Sequence, residues 1–225
     1  AKWIGARVFN TAGSTTDQIL LDAAQWILAP GGDPEKAPDV VNNSWGGGAG
    51  IDDWYRDTVR NWRTAGIFPV FAAGNQRQGE PSPWPGSISI PGNYPESFAV
   101  GATDINDRLA SFSKLGPSPY DPNLIKPEIC APGVNIRSSI PGGGYTGTYS
   151  GTSMSAPHIS GVVALLKSAN ETLSVAEIEE TLTVTARPLT DSTYPHSPNF
   201  AYGYGLVDAY EAVLNATCGT GHLGG

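Results

Sequence analysis

Apolar residues recur at helical spacing from Asp17 to Leu28 (Ile19, Leu20, Ala23, Ala24 and Ile27), with Thr16 or Asp17 placed to cap the turn. Upstream of this, Lys2 to Phe9 alternates and then runs apolar, which predicts a buried strand. A short apolar strand is expected from Asp39 to Trp45, ahead of a run of Gly and Ala. A second helix is expected from Asp52 to Thr64, with Trp54, Val59 and Trp62 near one face and Ala65-Gly66 closing it. Ile67–Ala73 and Ser97–Thr103 read as continuous apolar strands. Further on, Ala156–Ser168 reads as a buried helix, Val175–Val184 as an amphipathic one and Val207–Leu214 as the last. Ser174 caps the amphipathic helix, and Glu177 three residues on completes a capping box.

Strands without polar alternation, separated by helices, belong to parallel sheets covered on both sides. The pattern therefore predicts an α/β, three-layer, doubly wound and mostly parallel sheet with helices on both faces. There is no internal repeat. Residues 1–216 read as one domain and 217–225 as a flexible, glycine-bearing tail.

The length of 225 residues is enough for such a domain to bury a core. A net charge of −8 makes nucleic acid and anionic membranes poor partners, and no apolar run approaches the ~20 residues of a membrane span. The two cysteines, Cys130 and Cys218, are too few for a disulfide scaffold; they read as buried thiols, with pairing as the alternative. No Cys/His cluster suggests zinc. The chain opens on "AKWIGARVF", with neither Met nor a signal-peptide pattern, and is read as a piece of a longer polypeptide.

Ligands of open parallel sheets sit outside the carboxyl ends of the strands, and two glycine-rich segments fall there. "NSWGGG" holds Ser44, Trp45 and Gly46; "AAGN" holds Ala72, Ala73, Gly74 and Asn75. The glycines either make turns or let an extended peptide approach as an added strand. Asn75 either tolerates a left-handed turn or aims its amide at an oxyanion. Ser153, in "GTSMSAPHISG", is either a helix cap or a nucleophile at a helix start facing an anion. His158 does not serve it as a base, because five residues along a helix turn the side chain by a net ~140° and carry it about 7.5 Å. His158 reads instead as a buried structural histidine. His196 lies in a polar loop and His222 in the glycine tail.

Together these residues carry a resemblance. "SGTSMSAPHISGVVALL" resembles the active-serine signature of subtilisin-like serine proteases, the subtilases. "NNSWGGG", "PVFAAGN", "YPESFAVGATD", "KPEICAPGVNIRSSIPG" and "YGYGLVDAYEAV" resemble further family segments in the family's order, nearest its bacillopeptidase F branch. The resemblance implies a subtilisin-like fold and serine endopeptidase activity on polypeptides, outside the cell. Ser153 would be the nucleophile and Asn75 the side-chain donor of the oxyanion hole, with Thr152 and Met154 flanking the nucleophile. Ser44, Trp45 and Gly46 would pair with substrate backbone and wall the primary specificity pocket, with Ala72, Ala73 and Gly74 opposite. Ser89 would fall near the pocket base, and Ile90–Pro91 would be a cis bond. No cofactor is needed for the chemistry. Calcium, common in the family, is implied as a structural ion, with carbonyls near Pro91-Gly92 and Glu128 or Asp121 as a weak site.

Family members run in the order Asp, His, Ser, and the Asp and His-Gly-Thr-His segments do not occur in this chain. The expectation is that an upstream N-terminal segment of the same polypeptide supplies both and that this chain alone is inactive. A non-catalytic peptide-binding domain that keeps the cleft is the alternative. An unrelated serine hydrolase is disfavoured, since Ser155 stands where the second Gly of Gly-x-Ser-x-Gly belongs.

Overall fold

The structure, a computed structural model, describes residues 1–217. Four parallel strands form one sheet in the order β1 (Val40–Asn43), β2 (Phe68–Ala72), β3 (Phe98–Thr103), β4 (Ile129–Pro132). The two central strands are buried along their whole length, which is why they read as unbroken apolar runs. Alternate residues then serve opposite cores. Phe68, Val70 and Ala72 of β2 join Phe98 and Val100 of β3 under α3 (Thr152–Ala169), α4 (Val175–Val184) and α5 (Ala209–Thr217). Phe71, from the same strand, packs with Val41 under α1 (Asp17–Leu28) and α2 (Arg56–Thr64), against Leu20, Ala24, Val59 and Trp62. The result is the α/β three-layer architecture read from the sequence.

Local signals held where they rest on chemistry within one turn. Thr16 accepts from the Ile19 N–H at the start of α1, and Ser174 and Glu177 form the reciprocal capping box of α4. Other expectations are corrected. Lys2–Phe9 forms no strand: its backbone pairs with no other described segment and all its residues except Val8 are exposed. A strand's backbone groups need a neighbouring strand, and apolar pattern alone does not supply one. The second helix starts at Arg56 rather than Asp52, because Asp52 and Tyr55 are engaged by the hydroxyls of Tyr120 and Tyr94. The third begins at Thr152, four residues before Ala156, and runs through Pro157. The last begins at Ala209 rather than Val207 and includes Thr217; the rest of the expected tail, with Cys218 and His222, lies outside the described residues. Two features went unforeseen: β4, and a hairpin of β5 (Ile136–Ile140) with β6 (Gly144–Tyr149).

Candidate active site

The carboxyl ends of β1 and β2 meet the amino end of α3. Past β1, Ser44 donates its hydroxyl to the Ser153 carbonyl at 2.8 Å, and Ser153 Oγ donates to the Ser44 carbonyl at 3.2 Å. Past β2, Asn75 Oδ1 accepts from both the Thr152 N–H (2.8 Å) and the Thr152 hydroxyl (3.0 Å), while Thr152 Oγ1 accepts from the Gly74 N–H at 3.2 Å. Both atoms bonded to Oδ1 are on Thr152, and a backbone N–H can only donate. This fixes the carboxamide's orientation: oxygen toward Thr152, NH₂ outward. The Ser153 N–H sits in the first turn of α3, where no intrahelical acceptor exists. Two N–H donors, from Asn75 and from Ser153, are therefore left available near the Ser153 hydroxyl at the positive end of a helix.

Three glycine-flanked segments close on one floor. A Cβ added to Gly46 would lie 3.2 Å from Ser89 Cβ, and one added to Gly74 would lie 2.2 Å from Ser89 Oγ. Ser89 is thus the point on which the Ser44–Gly46 and Ala72–Gly74 walls converge, and it is held there by its N–H on the Ala73 carbonyl at 2.9 Å. Gly74, at φ +103°, can take no other residue without strain. The opposite wall is tied to the floor segment by Gly47 N–H on the Ile90 carbonyl and Ile90 N–H on the Gly48 carbonyl. The Trp45 indole turns away from the slot and packs edge-on against Tyr55 and Phe71, so Trp45 offers the slot its backbone only. The Ile90–Pro91 bond is cis.

His158 is half-buried rather than buried. Its Nδ1 lies 2.8 Å from the Met154 carbonyl on its own helix, and it makes no hydrogen bond with Ser153. Sequence reasoning missed three charged residues at the slot. Lys114, with 5% of its side chain exposed, runs its Cδ within 3.0 Å of the point where a Gly74 Cβ would lie. Its ammonium stands 3.6 Å from Glu80 Oε2. The Arg77 backbone N–H, and then the Lys114 charge, hold the Glu80 carboxyl below its ordinary value. Arg77 also reaches over to the Gly46 carbonyl at 3.3 Å. The only signal for Lys114 is a lone lysine in the run "ASFSKLG".

Behind the site, the Lys126 ammonium is fully buried and donates to the Ser97 carbonyl and to Glu128 Oε1. Glu128 Oε2 accepts from the Ala99 N–H at 2.7 Å. Burial pushes the Glu128 carboxyl up to about 7, against the opposing pull of Lys126. With both oxygens engaged and an ammonium already among them, Glu128 does not fit as a ligand of the calcium site implied near Pro91-Gly92; Asp121, the other carboxylate implied there, is exposed. Cys130 is a free thiol in the core, its pKa raised by burial.

The subtilase family matches residues 1–205. The chain is 59% identical over 230 aligned positions to bacillopeptidase F of Bacillus subtilis (strain 168), covering 100% of this chain and 16% of that protein. It is 34% identical over 206 positions to subtilisin DY of Bacillus licheniformis, covering 92% of this chain and 66% of that one. Against subtilisin E of Bacillus subtilis (strain 168) it is 33% identical over 213 positions, covering 94% and 49% respectively. The chain thus spans less than two thirds of the length of each of these relatives. With the match taking in every element from α1 to α4, the chain belongs to the subtilase family.

Proposed function

We propose that the polypeptide containing this chain is a secreted serine endopeptidase that cleaves polypeptides through an acyl-enzyme. The observation that carries this reading is the fixed Asn75 carboxamide. Thr152 spends two hydrogen bonds on holding Oδ1, which leaves an NH₂ beside the Ser153 N–H with an anion as its natural partner. A turn asparagine needs no such anchoring.

In this reading Ser153 Oγ attacks the scissile carbonyl and the two N–H groups take up the developing oxyanion. The Gly46 and Gly74 walls hold the substrate backbone, and Ser89 closes the pocket below. The proton of Ser153 needs a base within about 3 Å, which neither His158 nor His196 provides. An upstream segment of the same polypeptide would bring the histidine and the aspartate that orients it, so the 225-residue chain alone would be inactive.

Labelling Ser153 with an active-serine phosphonate at neutral pH tests this. Labelling should be fast and stoichiometric in the full-length polypeptide and negligible in the 225-residue chain. Equal labelling of both would place a base within this chain, and labelling of neither would remove the peptidase reading.

A further inference from the structure

Among the described residues two lysine side chains are at least nine-tenths buried, and they are not alike. Lys126 is bonded to a carbonyl and a carboxylate. The Lys114 chain is almost as enclosed, at 5% exposure, but its ammonium end keeps contact with solvent, and its one ion-pair partner among the described residues is Glu80 Oε2 at 3.6 Å, beyond hydrogen-bond reach. An ammonium that meets only solvent and a distant carboxylate can donate a charge-assisted hydrogen bond to an acceptor that enters beside it. The position of Lys114 says where that acceptor comes from. Its Cδ passes the point toward which Gly74 and Ser89 both face, so the lysine chain runs along the floor of the slot between the two walls. Its backbone N–H bonds the Gly74 carbonyl at 3.0 Å, which fixes it to that wall.

A second cation stands at the rim. The Arg77 guanidinium spans from the residue two beyond Asn75 to the carbonyl of Gly46 on the opposite wall. Glu80 is the one carboxylate bonded or paired to either group, and it is a third exposed. Within a chain of net charge −8, the slot is thus locally positive.

We infer that Lys114 determines specificity, and that the residue it selects on the acyl side of the scissile bond is glutamate or aspartate. This rests on the peptidase reading above and names the substrate class of that same site. The incoming carboxylate accepts from the Lys114 ammonium beside Glu80, with the Ser89 hydroxyl as a neighbouring donor and Arg77 closing over it. A charge-assisted hydrogen bond lost on replacing Glu by its neutral isostere Gln corresponds to roughly tenfold to a hundredfold in kcat/KM.

The test compares three peptides that differ only at that residue, Glu, Gln or Phe, with the full-length polypeptide. The Glu peptide should be cleaved at least about tenfold more efficiently than the Gln peptide. Lys114→Met should bring the Glu/Gln ratio close to one, and Glu80→Gln, which removes the competing carboxylate, should raise it. Equal or faster cleavage of Gln or Phe by the parent would overturn the inference while leaving the peptidase reading intact, as would a Glu/Gln ratio preserved in Lys114→Met. If Lys114→Met does not fold, Glu80→Gln decides: a ratio no higher than the parent's overturns the inference. No cleavage of any peptide, with no phosphonate labelling of Ser153, would remove both readings together.

Discussion

Replacing Lys126 by Met keeps most of the aliphatic bulk and deletes the charge. Glu128 is then left 5% exposed with only the Ala99 N–H for company, and the Ser97 carbonyl loses its donor. Breaking a buried ion pair by removing one partner costs about 3–5 kcal/mol when the remaining group must stay charged, but the Glu128 carboxyl can take up a proton instead, which caps the loss. The loss should depend on pH in a defined direction. The folded-state value of Glu128, about 7, stands above the ordinary 4.5, so the folded chain holds that proton more tightly than the unfolded chain. Each unit is worth about 1.4 kcal/mol, so the ionised carboxylate already costs the parent roughly 3 kcal/mol above that value. The parent therefore loses stability as pH rises from 4.5 to about 7. Without Lys126 the carboxyl rises further and the window extends upward. Relative to the parent, Lys126→Met should be roughly 2 kcal/mol less stable at pH ~8: the carboxyl can stay protonated, so the one unit between the parent's value and that pH adds at most about 1.4 kcal/mol to the lost hydrogen bond. Near pH ~5, where the folded carboxyl is protonated in both, the difference should shrink to roughly 1 kcal/mol, the worth of the lost Ser97 hydrogen bond. Urea unfolding followed by tryptophan fluorescence, in the full-length polypeptide made inert by Ser153→Ala, reads this directly. Adding Glu128→Gln to Lys126→Met removes the stranded charge and should restore most of the stability at the higher pH. A loss that is the same at both pH values, or that the second substitution leaves untouched, would refute the reasoning.

In the full-length polypeptide, Asn75→Leu should lower kcat with little change in KM, on the order of 10²–10³-fold. That size is the one known for the oxyanion asparagine of a subtilisin, not one worked out from this structure. Steady-state kinetics decide, and a raised KM with kcat preserved would assign Asn75 to substrate binding instead. Peroxide should inactivate the full-length polypeptide in step with oxidation of Met154, the one methionine of this 225-residue chain, because a sulfoxide puts a polar group against Ser153. Peptide mapping beside residual activity checks this, and full activity with Met154 fully oxidised would refute it.

What the sequence determined by itself is whatever is settled within a turn or along one element. The Thr16 cap, the Ser174–Glu177 box and the continuous apolar runs of β2 and β3 are of this kind, because each depends on residues a few positions apart or on burial from both sides. The chemistry proposed for Ser153 and Asn75 is legible only as a set of motifs; taken singly, Asn75 reads better as a turn residue and Ser153 reads strongly as a helix cap. Tertiary structure decided the rest. β4 is four residues of "ICAP" and becomes a strand only because β3 offers it an edge. The hairpin of β5 and β6 is largely exposed and carries no apolar face to reveal it. Lys2–Phe9 has the pattern and no partner. Most of all, nothing in the sequence says that Lys114 and Lys126 lie inside. A charged side chain is buried only when distant segments bring it a counter-charge or a site for one, and that convergence of Gly74 with Ser89, and of Ser97 with Glu128, exists in the folded chain alone.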